Sequence, residues 1–467
     1  MLFRSYGEAL NDGEISVGYD RDGLWFRYYE LRFPMRIESY HQVFTHDLPW
    51  LEQRLGEHHA EFIRYLGTVS TLKNLPGTEH ALERSEQIYI TKTLLWELYE
   101  GNSFIHHYVN RNLTIYNGVD GSPNGDGNRR LLDLLIGEQN FRLAFWKVAT
   151  EEINYRRFFT INGLISVRLE DEPVFNDTHA LIRELIESGV INGLRVDHID
   201  GLHDPTEYLH RLRTLAPDAY IVVEKILEHG EPLPDEWPIA GTTGYDFLNT
   251  VNGVLCRRSN APAFTRLYAR YANVVEPYER LVAEKKRLIV EKHLAGNIEN
   301  LAHLLKRLSA NDRYGNDITL YGLRRALIAV MANFPIYRTY INAKSCRPID
   351  AEYLRLAVAA ALQRHPDMHY ELTYIQKFLL MCFDPATTPE ERQHSIKFVM
   401  QFQQVTGPLR AKGVEDTALY VYNRLISLNE VGGSPQVFGV TLEEFHDFNR
   451  RTVERHPHAM TATATHD

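Results

Sequence analysis

Two short apolar runs separated by a helical segment constrain the fold of this chain more than any other feature. The runs are VINGLRVD (residues 190–197) and AYIVVEKIL (residues 219–227), and a helical pattern, LHDPTEYLHRLRTLAPD, lies between them. Runs this apolar are typical of strands that are buried on both faces. The strand–helix–strand order therefore predicts a parallel sheet, because the helix returns the chain to the edge where the first strand began.

Charged side chains lie at the ends of both predicted strands. Arg195 and Asp197 are two residues apart, so their side chains share a face, and the arginine favours an ionised carboxylate. Glu224 interrupts the second run, where desolvation raises the pKa of a carboxyl group and suits a general acid. The structural alternatives are a buried ion pair for Arg195 and Asp197, and a core or water-facing glutamate for Glu224. Two such features one βα unit apart favour an active site at the carboxyl ends of the strands.

The rest of the chain contains segments of different character. Residues 12–35 alternate apolar and polar side chains around Asp22-Gly23, which predicts a β-hairpin. Thr388, Pro389 and Glu391 predict the capped start of a helix. We divide the chain into residues 1–130, a hairpin followed by helices; 131–258, the sheet portion; 259–455, a helix-rich insertion; and 456–467, a return to the sheet.

Composition excludes several classes of protein. The net charge of −10 gives no general attraction to nucleic acid or to an anionic membrane. The sequence has neither a signal-peptide pattern at its start nor an apolar run of membrane-spanning length. Its three scattered cysteines predict neither a disulfide framework nor a zinc site, which favours a reducing, cytoplasmic location. The 26 tyrosines are compatible with a sugar-binding cleft, and equally with large cores and interfaces.

The motifs together resemble those of a known enzyme family. The RxD motif at Arg195–Asp197, the strand-borne Glu224 and the final His466-Asp467 pair resemble the α-amylase superfamily of glycoside hydrolases (family 13). EINYRRFFTINGL, GTTGYDFLN, FPIYRTY and AKGVEDTALYVYNRLISLNEVGG further resemble the maltooligosyl trehalose synthase family. The resemblance implies an α/β fold, a partial TIM (β/α)8 barrel of the α-amylase type with a large helix-rich insertion.

The resemblance also implies a role for each matched residue. The implied catalytic residues are Asp197 as nucleophile, Glu224 as acid/base and Asp467 as the third carboxylate, which stabilises the transition state. The expected substrate-binding residues are Arg195, His198, Tyr245, Asp246 and His466. Lys225 is expected to point away from the acid, and a packing role is expected for Lys412, Glu415 and Asp416.

The reaction implied by the family is an intramolecular transglycosylation. The reducing-end α-1,4 linkage of a maltooligosaccharide is broken and remade as an α,α-1,1 linkage, which makes the enzyme an isomerase of trehalose biosynthesis. No metal or other cofactor is implied. The family also implies a maltooligosyl trehalose trehalohydrolase as functional partner.

The chain departs from the family pattern at both ends. No stretch resembles the first three barrel strands, and the sequence stops at the strand-seven carboxylate. We therefore expect a fragment of low solubility and low activity, because an open barrel exposes unpaired strand edges. The alternatives are an amylase-type maltooligosaccharide hydrolase and a truncated, non-catalytic glucan-binding chain. AKGVEDTA and EINYRRFF favour the mutase over the hydrolase.

Overall fold

The computed structural model describes residues 1–118, 125–273, 276–310, 312–384 and 387–465, with the backbone alone described for residues 125–128. The chain divides into two compact units, Met1–Val148 and Ala149–Asp467. Among the described helices, none has the length and apolar character that crossing a membrane requires.

The first unit combines a small antiparallel sheet with helices. Its strands are β1 (Ile15–Asp20), β2 (Gly23–Tyr28) and β3 (Leu31–Pro34). Its helices are α1 (Tyr6–Asn11), α2 (Tyr40–Phe44), α3 (Leu48–Leu55), α4 (Ala60–Thr71), α5 (Ala81–Gly101), α6 (Ser103–Tyr116) and α7 (Gly125–Gly137).

The hairpin predicted within residues 12–35 is confirmed. Strands β1 and β2 pair antiparallel, with Asp20 opposite Gly23. Gly23 has a φ of 114°, a left-handed conformation that favours glycine at the turn. The sheet and helices of this unit share one apolar core, in which Phe26, Tyr40 and Tyr108 are almost fully buried.

The second unit contains the parallel sheet and most of the helices. Its strands are β4 (Gly193–Val196), β5 (Tyr220–Val223) and β6 (Gly241–Thr242). Its helices are α8 (Ala149–Glu152), α9 (Glu172–Thr178), α10 (Ala180–Glu187), α11 (Pro205–Leu215), α12 (Tyr245–Val254), α13 (Ala261–Ala272), α14 (Tyr278–His293), α15 (Ala295–Ser309), α16 (Leu320–Ala332), α17 (Pro348–Arg364), α18 (His369–Leu380), α19 (Pro389–Arg410), α20 (Leu419–Val421) and α21 (Leu442–Arg455).

The predicted strand–helix–strand unit is confirmed as β4–α11–β5, and the sheet is parallel. Its order is β4-β5-β6, with Val196 opposite Val223 and Val223 opposite Thr242, so the strands end at one edge. The backbone of residues 459–462 runs beside β6, where the Met460 amide donates to the Thr242 carbonyl at 3.1 Å. The sheet therefore gathers residues from distant parts of the sequence at one edge.

The helices of the second half pack around their own core. Residues of α14 to α19 form the largest apolar cluster among the described residues. The capped start of α19 is confirmed: the Thr388 hydroxyl accepts from the Glu391 amide, and the Glu391 carboxylate accepts from the Thr388 amide. Helix α19 continues directly into a π-helix at Ala411–Ala418. Such π-helical turns are rare and often mark functional sites.

Candidate active site

The ends of β4 and β5 bring two carboxylate residues to one place. Asp197 follows β4 and Glu224 follows β5. The Glu224 amide donates to the Val196 carbonyl at 2.8 Å, which extends the strand pairing to Glu224 itself. The structure thus places the two predicted reacting carboxylates on neighbouring strand ends.

Arg195 and backbone groups organise this carboxylate pair. The Arg195 guanidinium lies 2.7 Å from Asp197 Oδ1 and 3.8 Å from Glu224 Oε2. The His198 amide donates to Glu224 Oε2 at 2.7 Å, and the Tyr245 hydroxyl donates to Glu224 Oε1 at 3.4 Å. The Asp197 side chain is 62% exposed and that of Glu224 only 16%, so the two carboxyls occupy different environments.

These environments move the two pKa values apart. Partial burial opposes ionisation of Asp197, but hydrogen bonds from Arg195 and Glu224 and the Arg195 charge outweigh it and lower the pKa of Asp197. Burial raises the pKa of Glu224, and the neighbouring Asp197 charge raises it further. Two carboxyl groups with opposite shifts are suited to separate roles, an ionised nucleophile and a protonated acid.

The opposite shifts predict a bell-shaped pH dependence of kcat/KM for any turnover at this site. Activity falls at low pH as Asp197 is protonated, and at higher pH as Glu224 loses its proton. With a leaving group that needs no protonation, such as fluoride, the wild-type chain is expected to lose the alkaline limb of the first chemical step and to keep the acid limb. An alkaline limb that persists unchanged with fluoride contradicts the acid assignment.

The ring of His198 lies beside the pair and packs against aromatic side chains. His198 adopts a left-handed φ of 44°, and its ring centroid lies 4.5 Å from that of Phe159 and 5.7 Å from that of Phe158. Burial lowers the pKa of His198, which favours the neutral ring. The Lys412 ammonium covers the Phe159 ring at 5.1 Å. These contacts bring the EINYRRFF and AKGVEDTA motifs to the loop that carries Asp197 and His198.

The structure brings Tyr245, but not Asp246, to the carboxylate pair. Burial raises the pKa of Tyr245 to about 12, so its hydroxyl stays a donor to Glu224. The Asp246 carboxylate instead accepts from the Thr242 hydroxyl at 3.1 Å. It lines a cavity of about 660 Å³ between α12, α21 and residues 227–233, whose lining includes neither Asp197 nor Glu224.

The last two predicted site residues, His466 and Asp467, lie outside the described residues. The preceding Thr465 is described, and its hydroxyl donates to Glu430 Oε2 at 2.6 Å. In the described part of the chain, no three histidine, cysteine, aspartate or glutamate residues are grouped to hold a metal ion.

The sequence analysis missed a buried polar cluster next to the pair. Lys225 contacts Asp200 and Glu231, and Tyr340 contacts Asp200. Lys225, Asp200 and Tyr340 are buried, and the side chain of Glu231 is 4% exposed. The sequence indicated this cluster only by two charged residues inside apolar motifs, Asp200 in VDHIDGL and Lys225 in VVEKIL. The predicted direction of Lys225, away from the acid, fits this contact with Asp200.

Glu415 on the π-helix makes polar contacts that the sequence did not indicate. The Tyr337 hydroxyl hydrogen-bonds to Glu415 Oε1, and the Gly432 amide donates to the same oxygen at 3.4 Å. Burial raises the pKa of Glu415 to about 7, although the Tyr337 hydrogen bond and the Arg410 charge oppose the shift.

The raised pKa of Glu415 predicts a pH-dependent stability. The folded state binds this proton more tightly than the unfolded chain, so the stabilisation is complete below the ordinary pKa of 4.5 and is lost as pH rises towards 7. We expect Glu415→Gln to remove about 3 kcal/mol of the pH dependence of the unfolding free energy between pH 4.5 and 7.5. Urea denaturation at several pH values tests this, with the exposed Glu443→Gln as control. Parallel curves for wild type and Glu415→Gln contradict it.

Comparisons with known proteins agree with the geometry. No family model matches the chain. A protein of Mycobacterium tuberculosis (strain H37Rv), named provisionally as a maltooligosyl trehalose synthase, is 34% identical over 330 residues, which cover 70% of this chain and 40% of that protein. The structure of maltooligosyltrehalose synthase from Arthrobacter ramosus is 36% identical with a TM-score of 0.62, over 74% of this chain and 41% of that one. A structure named DSM5389 glycosyltrehalose synthase is 26% identical with a TM-score of 0.63, over 100% of this chain and 46% of that one.

The parallel strands, the acidic pair at their ends and the helix-rich insertion define a partial barrel of the α-amylase type, as predicted. Within that class the chain is a homologue of the maltooligosyl trehalose synthases, so the resemblance seen in its motifs is confirmed. The chain spans 40% of the length of the curated relatives that it matches.

Proposed function

We propose that the chain carries the catalytic pair of a (1→4)-α-D-glucan 1-α-D-glucosylmutase, an isomerase acting on maltooligosaccharides. The observation that carries this proposal is the Asp197–Glu224 pair at adjacent strand ends, with pKa values shifted in opposite directions. The homology to maltooligosyl trehalose synthases supplies the substrate class.

The proposed chemistry has two displacements. The Asp197 carboxylate attacks the anomeric carbon of the penultimate glucose unit while Glu224 gives its proton to the departing O4 of the reducing-end glucose. The freed glucose turns over in the site, and Glu224 removes the proton of its anomeric hydroxyl. That oxygen attacks the glycosyl–Asp197 ester and forms the α,α-1,1 linkage, which restores the Asp197 carboxylate. Two inversions at one carbon retain its configuration.

Neighbouring side chains have supporting roles in this proposal. Arg195 keeps Asp197 ionised and aligned, and Tyr245 holds one oxygen of Glu224. The rings of His198 and Phe159 offer a surface against which a sugar face can pack. Asp467 is proposed as the third carboxylate and His466 as a substrate contact on the family match alone, and Asp246 stays a candidate for substrate binding. We also propose a cytoplasmic location, from the three cysteines, and a trehalohydrolase that acts on the product.

A hydrolase is the second candidate, because the Asp197 side chain is 62% exposed. The mutase must retain the freed glucose and exclude water from the glycosyl–enzyme, whereas an open site admits water as acceptor. The test follows reducing ends over time with the chain and maltohexaose. A fall without new small sugars supports the mutase, and a rise establishes hydrolysis. Binding of maltohexaose without any change in reducing ends supports the third alternative, a glucan-binding chain.

A further inference from the structure

A buried ion cluster joins the two loops that carry the reacting carboxylates. The Lys225 ammonium lies 3.3 Å from Asp200 Oδ2 and 3.1 Å from Glu231 Oε1. The Tyr340 hydroxyl donates to Asp200 Oδ1 at 2.5 Å. The three charged side chains are between 0% and 5% exposed, so water does not screen their interactions.

Each loop that carries one residue of the proposed catalytic pair also carries a residue of the ion cluster, close to it in sequence. Asp200 is three residues after Asp197, and Lys225 is the residue after Glu224. The Lys225–Asp200 ion pair therefore connects the loop after β4 to the end of β5. A displacement of one loop relative to the other would therefore strain this ion pair.

The helix-rich part of the chain holds the same loop from the other side. Arg338 donates to the Asp200 carbonyl at 2.9 Å and to the His203 carbonyl at 2.8 Å, and it also contacts the Leu202 carbonyl. Together with Tyr340, this arginine fixes the loop after Asp197. The FPIYRTY motif thus contacts the site indirectly, through hydrogen bonds to the backbone of residues 200–203.

Stability alone does not explain such a cluster. Burying an ammonium group is costly, and well-packed apolar side chains often stabilise a core as well or better. Burial opposes the charge on Lys225, but Asp200 and Glu231 outweigh it and raise its pKa. Lys225 therefore stays charged, and a paired buried charge has a strict geometry that an apolar contact lacks.

We propose that Lys225, Asp200, Glu231 and Tyr340 are positioning residues, which set the separation and orientation of Asp197 and Glu224. They touch neither reacting group directly. They act through the backbone of the two loops, which keeps the nucleophile and the acid aligned. The expected effect of these residues on turnover rests on the proposed function, whereas their effect on the positions of the two carboxylates does not.

The test compares the wild-type chain with Lys225→Met/Asp200→Asn, which removes both charges together, and with Tyr340→Phe, which removes one hydroxyl and preserves the packing. The first readout is the pH dependence of carbodiimide labelling at Glu224, followed by peptide mass spectrometry. As the carboxylates separate, the apparent pKa of Glu224 is expected to fall towards its ordinary value in both variants. Where turnover is present, kcat is expected to fall about a hundredfold in the double variant, with little change in KM.

Lys286→Met is the matched control, because Lys286 is equally buried but donates to the Phe334 carbonyl instead of an acidic residue. It is expected to lower the melting temperature without changing the labelling profile of Glu224. The inference is overturned if the cluster variants lower the melting temperature and leave the Glu224 profile unchanged, as Lys286→Met does. The labelling needs no turnover, so its outcome does not depend on whether the chain is active, and a failure of this inference is distinguishable from a failure of the proposed function.

Discussion

Replacing Asp197 with asparagine is expected to lower turnover of maltohexaose by about a thousandfold or more, and to leave maltohexaose binding close to that of the wild type. The amide has nearly the size of the carboxylate but cannot form the glycosyl ester. Arg195 loses its charged partner, yet the Asp197 side chain is 62% exposed, so the cost to folding is small.

The matched control is Asp218→Asn, an exposed residue just before β5 that contributes nothing to the site. Turnover should be unchanged in this variant. Reducing-end assays measure turnover, and calorimetric titration with maltohexaose measures binding. Wild-type turnover in Asp197→Asn would refute the nucleophile assignment.

Replacing Arg338 with methionine is expected to cause the largest loss of stability. Arg338 is 1% exposed and donates to four backbone carbonyls, those of Asp200, Leu202, His203 and Thr339. Methionine leaves these acceptors buried without their donor, and each such group costs about 1–3 kcal/mol. We expect the free energy of unfolding of the second unit to fall by about 3 kcal/mol or more.

Arg287→Met is the control for this prediction. Arg287 lies on α14 in the same unit, its side chain is 60% exposed, and it pairs with Glu291 one helical turn away. An exposed pair of this kind contributes about 0.5 kcal/mol or less. Urea denaturation followed by circular dichroism compares the two variants, and similar losses in both would contradict the role assigned to Arg338.

The sequence was sufficient to predict the parallel strands and the position of the Asp197–Glu224 carboxylate pair. Strand period and apolar character identify β4 and β5, and parallel strands necessarily end at one edge. Asp197 and Glu224 follow directly from that geometry. The hairpin and the capped start of α19 were predictable for a similar reason, since each depends on residues that are close in sequence.

The supporting contacts were not predictable from local pattern. Arg338 and Tyr340 meet the loop after Asp197 from about 140 residues further along the chain, and only the packed fold brings them there. Tyr245 and Asp246 show a second limit of what a local sequence pattern can predict. Both stand in one motif at the start of α12, but successive helical residues point about 100° apart. One therefore contacts Glu224, while the other lines a separate cavity.

The central claim is that Asp197 forms a glycosyl ester with Glu224 as its acid/base partner. The most direct measurement is peptide mass spectrometry of the Glu224→Gln variant after incubation with α-maltosyl fluoride. Fluoride leaves without a proton, so the first step proceeds in this variant. The second step lacks its base, Glu224, so the glycosyl–Asp197 ester should accumulate. We predict one added maltosyl group on the peptide that contains Asp197. A label on another carboxylate, or consumption of the fluoride without any label, would contradict the account.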